Sequence, residues 1–264
     1  MIRAVTLNNN VGPGGSPPDL HERVAQLGLA EIDILCCQGV RRAMDEREDE
    51  TRIIAQSLRM NCSCFAASQP WQGKKARGAH GVKGLAILTG AGVWMLNSGS
   101  LQGVGESDRT KGFVQFALVR KNETSILVLN MQLCGSRKLQ LLQLRALFSN
   151  PLLKERYGAV VLCGDRQARL SAMELQAITD GSTYALYQGP APLLPCLEEG
   201  LLWLLVAREQ PVAAVTLRNW QTSLSLEFEV DRFSRGKARR PYYLPLSLDE
   251  QWAGYKEKSQ AFPA

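Results

Sequence analysis

The chain has 264 residues and a mass of 29.1 kDa, with 45% hydrophobic and 21% charged side chains. That size and mix can bury a large core without disulfide or metal staples, which excludes a disordered chain and a small cross-linked scaffold. The formal charge of +6 is unevenly spread: Asp45 to Glu50 holds five carboxylates and one arginine, and Thr51 to Gly105 holds no carboxylate.

No apolar run reaches the roughly 18 residues of a membrane span. The segment Met1 to Leu7 reads as a strand rather than as a leader peptide, so the expected compartment is the cytoplasm. The seven cysteines are odd in number and include no CxxC, and there are only two histidines, His21 and His80. Cys36, Cys37, Cys134 and Cys163 sit in apolar runs, where a free thiol acts as a small hydrophobe. Cys62 and Cys64 fall on one face of a strand, but no second ligand pair accompanies them. Reduced, buried cysteines are expected, and no metal centre.

In chain order, the apolar pattern switches repeatedly between the periods of strand and helix. Ile2–Leu7 is a strand ending in Asn8-Asn9-Asn10. Leu20, Val24 and Leu27 form a helical stripe, and 32–37 is a buried strand. Residues 45–58 have carboxylates first, which suits a helix N-terminus, then Ile53, Ile54 and Leu58. Strands are expected at 62–67, 85–89 and 93–96, then at 113–119 and 125–130 joined as a hairpin. Ser136 caps a helix reaching Phe148. Ala159–Cys163 is the most continuous apolar run and reads as a central strand. Ser171-Ala-Met-Glu174 has capping-box spacing and opens a short helix. Strands follow at 201–206, 212–217 and 224–230. Beyond them a Pro/Arg-rich stretch breaks the pattern, so the expected organisation is one α/β domain over 1–230 and a basic, aromatic C-terminal extension over 231–264.

Seven segments in chain order, 6–8, 33–40, 84–88, 128–133, 160–167, 201–206 and 224–230, together resemble the endonuclease/exonuclease/phosphatase family of metal-dependent phosphodiesterases. Thr6-Leu7-Asn8 is similar to the family's first-strand W/T-x-N. Asp33 to Val40 (DILCCQGV) is similar to D-I-I-x-L-Q-E-V, and Gly84 to Leu88 (GLAIL) to G-x-A-I-L-S. Val128 to Leu133 (VLNMQL), before a helix, resembles V-x-N-T-H-L. Val160 to Gln167 (VVLCGDRQ) resembles V-I-L-x-G-D-F-N. Leu201 to Val206 and Leu224 to Val230 resemble the last strands. Singly these are common patterns; their joint order over residues 2–230 is not. The resemblance implies a two-sheet, four-layer α/β sandwich with helices outside and strand-end loops meeting at one mouth.

The family's chemical residues are mostly replaced. The carboxylate that would hold a divalent ion corresponds to Gly39, and the phosphate-binding histidine to Gln132. The aspartate of the I-D strand corresponds to Leu202. The closing Ser-Asp-His falls near Asn219-Trp220-Gln221, so Trp220 and Gln221 stand where its Asp and His are expected. Asn8 and Asp165 remain as remnants, with Gln167 in place of the family's Asn. Losing one general acid or base costs roughly 10²–10⁴ in rate, and losing the metal removes several kcal/mol more of transition-state stabilisation. The resemblance therefore implies a pseudoenzyme: a non-catalytic binding or scaffolding module that needs no cofactor. The alternative is a phosphodiesterase, nuclease or phosphatase with a rearranged site centred on Asp165, which would use Mg²⁺.

Each remnant also has a plainer reading. Asn8 suits a turn and Asp165 an Asx turn or cap. Gln132 and Gln38 are expected to bond to each other where metal ligands once sat, and Trp220 either fills the cleft or packs in the core. Lys74, Lys75, Arg77 and Lys83, with Arg232, Arg235, Arg239 and Arg240, are candidate anion- or partner-binding residues. Tyr242, Tyr243 and Trp252 follow the arginines of the extension, a clustering closer to a protein interface than to a solvated tail. A protein partner is expected, with nucleic acid as the rival.

Overall fold

The structure is a computed structural model that describes residues 1–9, 20–27, 31–43, 49–72, 80–103, 112–155, 157–164, 172–180, 182, 184–186, 201–207, 212–220 and 223–230. Residues 1–232 form one compact unit. The extension expected at 231–264 lies outside the described residues, as does the proposed cap Ser171.

Twelve described strands build two six-stranded mixed sheets. The first comprises β1 (Ile2–Asn8), β2 (Ile34–Ala43), β3 (Cys62–Gln72), β4 (His80–Thr89), β11 (Val212–Trp220) and β12 (Ser223–Val230), in the order β11-β12-β1-β2-β4-β3. The second comprises β5 (Val93–Gln102), β6 (Phe113–Lys121), β7 (Thr124–Gln132), β8 (Ala159–Gly164), β9 (Tyr184–Leu186) and β10 (Leu201–Ala207), in the order β5-β6-β7-β8-β10-β9. Each sheet has one parallel pair near its centre, β1 with β2 and β7 with β8.

Alternation assigns the faces. In the first sheet Ala4, Ile34, Cys36 and Ile87 point at the second sheet, where they meet Ala117, Val128, Val161 and Cys163. On the opposite face Leu7, Leu35, Cys37 and Leu88 meet Val24 and Leu27 of α1 (Leu20–Leu27) and Ile54 of α2 (Glu50–Ser57). The helices α3 (Arg137–Phe148) and α4 (Ala172–Thr179) flank the sandwich. Ser136 caps α3 as expected, its Oγ accepting from the Leu139 amide at 3.4 Å. Among the described residues no helix is long and apolar enough to cross a membrane.

Several elements differ from the sequence expectation: β3, β4 and β5 are longer than the expected 62–67, 85–89 and 93–96. The helix expected over 45–58 begins at Glu50, with Asp49 as its cap accepting from the Thr51 and Arg52 amides. Strand β2 runs on to Ala43, because a bulge between Gln38 and Val40 carries the chain past Gly39. The short strand β9 was given no strand pattern by the sequence; it is held by Tyr184, whose hydroxyl donates to the Glu155 carbonyl and accepts from the Tyr157 amide. Cys134 is half-buried after β7, not in a strand.

Candidate functional site

Strand direction brings the matched positions to one end of the sandwich. Asn8 ends β1 and pairs with Gln38, while Gln132 ends β7. Leu202, second in β10, pairs with Cys163 near the end of β8. Trp220 ends β11 opposite Ser223, at the same end of the first sheet as Asn8. Asp165, Gln167 and Gln221 lie outside the described residues, as do Lys74, Lys75, Arg77, Arg232, Arg235, Arg239 and Arg240.

Below this end a layer of buried polar side chains crosses between the sheets. The Gln38 amide nitrogen donates to Thr6 Oγ1 at 2.9 Å and to Asn130 Oδ1 at 2.8 Å. Asn130 Nδ2 donates in turn to the carbonyls of Cys37 and Ala86, both at 3.0 Å. Gln115, opposite Asn130 in the ladder, extends the layer by donating to the Cys64 carbonyl at 3.0 Å. The bond expected between Gln38 and Gln132 is therefore replaced. Gln38 turns inward to Asn130, two residues earlier in β7, and Gln132 sits half-exposed at the strand end. Burial decides this, because a fully buried amide must find its partners inside.

Gly39 occupies the β2 bulge with φ +72°, the left-handed region where a Cβ is strained. Gly84 is required for a different reason: a Cβ there would lie 2.1 Å from the Ala66 carbonyl oxygen of the neighbouring strand. Lys83 is in β4, paired with Arg41 of β2, so it is part of the first sheet.

One carboxylate close to Gly39 escaped the sequence reading. Glu50, first in α2, accepts from Asn9 Nδ2 at 2.8 Å and from the Arg41 amide at 2.7 Å, both at Oε2. Burial raises its pKa; the bonds from Arg41 and Asn9 and the charge of Lys83 oppose that rise without cancelling it. The only signal in the sequence was its place at the end of the acidic run, which reads equally as a helix N-terminus.

The fold family implies a divalent ion here, and the donors described do not fit one. Such ions take carboxylate oxygens, commonly six in number for Mg²⁺. Asn8 and Gln132 offer neutral amides, Gly39 offers no side chain, and Glu50 is engaged at Oε2 by Asn9 and the Arg41 amide. Among the described residues no three His, Cys, Asp or Glu side chains come together as a metal site.

Solved structures share this architecture. An endonuclease/exonuclease/phosphatase from Beutenbergia cavernae superposes with a TM-score of 0.61 at 13% identity, over 87% of this chain and 71% of that one. The human Nocturnin catalytic domain, solved with a bound sulfate anion, gives 0.60 at 16% identity, over 87% and 93%. A mannosyl-6-phosphatase from Bacteroides thetaiotaomicron gives 0.55 at 8% identity, over 87% and 100%. The fold is thus the endonuclease/exonuclease/phosphatase-type α/β sandwich. No protein-family model matches the chain, and no curated protein matches it.

Proposed function

We propose that this chain is a non-catalytic form of the endonuclease/exonuclease/phosphatase fold, used as a binding or scaffolding module. The observation that carries the reading is Gly39. It stands where the family's metal-holding carboxylate is expected, in a bulge whose backbone favours glycine. The neutral amides at Asn8 and Gln132 support the same conclusion, as does the closed Thr6–Gln38–Asn130 layer beneath them. Fold alone does not fix function, so the reading rests on these residues and not on the architecture.

A protein partner is assigned to the basic and aromatic stretch 231–264, on composition. Binding to nucleic acid instead would weaken steeply with salt, because each neutralised phosphate releases counterions. Neighbours of this fold carry hydrolase names, which favours the rival, a rearranged site at Asp165 loaded with Mg²⁺. The deciding experiment assays the purified protein with Mg²⁺ and Mn²⁺ against DNA, RNA and phosphate mono- and diesters. No hydrolysis above background is expected. Hydrolysis that Asp165→Ala abolishes would establish the rival.

A further inference from the structure

The strands at the ends of the two sheets are β11, β3, β5 and β9. An end strand offers a row of backbone groups to any other strand, so proteins blunt it with proline, charge or brevity. β3 contains Pro70, β11 contains Arg218, and β9 has only three residues. β5 runs for ten residues with neither charge nor proline. It carries Trp94, 68% exposed, and Leu96, 43% exposed. Among the described residues no strand lies beyond it.

The ladder with β6 fixes which groups of β5 face outward. Gly103 donates to the Gly112 carbonyl, so Leu101–Val114, Gly99–Phe116 and Asn97–Leu118 are the hydrogen-bonded pairs. Ser98, Ser100 and Gln102 therefore turn their amides and carbonyls to the open edge. Leu96 is an extra residue, a bulge between Met95 and Asn97, and on its far side Met95 faces the edge. From Met95 to Ser98 the outward groups are spaced one residue too far apart for a regular strand, which deters one from pairing there. A second copy lying antiparallel presents the same irregular spacing, with Met95 against Ser98 and Leu96 against Asn97.

We propose that β5 is the dimerisation edge of this protein, pairing with β5 of a second copy about a twofold axis between Leu96 and Asn97. Met95 of each copy exchanges backbone hydrogen bonds with Ser98 of the other, and the two second sheets become one continuous sheet. Trp94 falls opposite Gly99 of the second copy, and alternation puts both on the outer face. Phe116 already leans over that glycine: a Cβ at Gly99 would lie 2.7 Å from the Phe116 ring. The Trp94 indole thus gains open backbone beneath it and an aromatic ring beside it. Charge does not oppose the match, because β5 is neutral. Arg120, paired with Trp94, stands roughly 20 Å from its symmetry mate at ordinary strand spacing, beyond the screening length of about 8 Å. The pairing does not depend on whether the mouth of the sandwich binds a ligand or cleaves one.

The test is the mass of the full chain in solution, by sedimentation or light scattering, which should be twice 29.1 kDa. Leu96→Lys puts two like charges beside the axis and should give monomer where the parent is dimeric, and Leu96→Glu should do the same. Mixing these two variants should restore a dimer, because opposite charges then meet at the axis. Trp94→Ser, at a second exposed position, should weaken the parent dimer by about tenfold or more. Circular dichroism and cooperative urea unfolding show that each variant is folded. A parent chain that stays monomeric would leave the edge to a strand of another protein and overturn the pairing. So would a dimer that Leu96→Lys leaves intact, a mixture that stays monomeric, or an unchanged dissociation constant for Trp94→Ser.

Discussion

The amide nitrogen of Gln38, in the first sheet, donates to Oδ1 of Asn130, in the second, across 2.8 Å. Both side chains are fully buried, so this bond ties the sheets together immediately beneath the end where Asn8 and Gln132 stand. Apolar burial is non-directional, whereas a donor and acceptor fixed on opposite sheets favour one registration.

Asn130→Ala should be among the costliest single changes in the domain. It takes from the Gln38 amide one of its buried acceptors, leaving Thr6 Oγ1, and removes a donor from the carbonyls of both Cys37 and Ala86. At about 1–3 kcal/mol for each buried group left unsatisfied, with partial relaxation, the loss should be about 2–4 kcal/mol. Urea unfolding measures it. Gln38→Ala combined with Asn130→Ala should cost less than the two separate losses added, because each removes the same bond.

The strands and the end at which the site residues gather were legible in the sequence, because alternation and long apolar runs report burial directly. Ala159–Cys163 shows this best: five consecutive apolar residues became the buried centre of β8. Register and side-chain partners were not legible. The preference of Gln38 for Asn130 over Gln132 depends on which amide is inside, and that depends on a bulge. A bulge leaves only a glycine as its trace, and Gly39 was read there as a missing ligand. Glu50 was hidden for a similar reason: its partners, Asn9 and Arg41, lie far along the chain and meet it only through the fold.

Glu50 should destabilise the domain more at neutral pH than in acid. Its folded pKa lies above the ordinary value of 4.5, so the folded state holds the proton more tightly than the unfolded chain. Its contribution to stability therefore falls as pH rises from the ordinary value through the raised one, and stays low above it. Glu50→Gln removes the titration but keeps an oxygen for Asn9 and the Arg41 amide. The variant should gain on the parent in urea midpoint between acid and neutral pH. A difference independent of pH would mean that burial does not control this carboxylate.

Asp49 has two tasks that two substitutions separate. Its carboxylate caps α2 and pairs with Arg42 at 2.8 Å, and the Arg42 guanidinium also lies 4.6 Å from the centroid of the Phe65 ring. Asp49→Ala loses cap and pair and should cost about 1 kcal/mol or somewhat more. Asp49→Asn keeps the capping oxygen and loses only a partly exposed ion pair, worth about 0.5 kcal/mol. Thermal or urea unfolding of the two should differ accordingly, and equal losses would show that the cap contributes nothing.

Rebuilding the family's ligands should not restore chemistry. Gly39→Glu places a side chain at φ +72°, where a residue with a Cβ pays roughly 1–2 kcal/mol, and the new carboxylate adds charge close to Glu50. Gly39→Asn is the control, because Asn tolerates this conformation better; it should be the more stable of the two in urea. Combining Gly39→Glu with Gln132→His should still yield no Mg²⁺-dependent hydrolysis of phosphodiesters above background. Leu202 and the stretch Asn219-Trp220-Gln221 would still lack the carboxylates and histidine that the resemblance requires. Groups that act as a unit recover little when only some are returned. Turnover by the double variant would mean that two residues separate this chain from an enzyme, and would count heavily against a binding module.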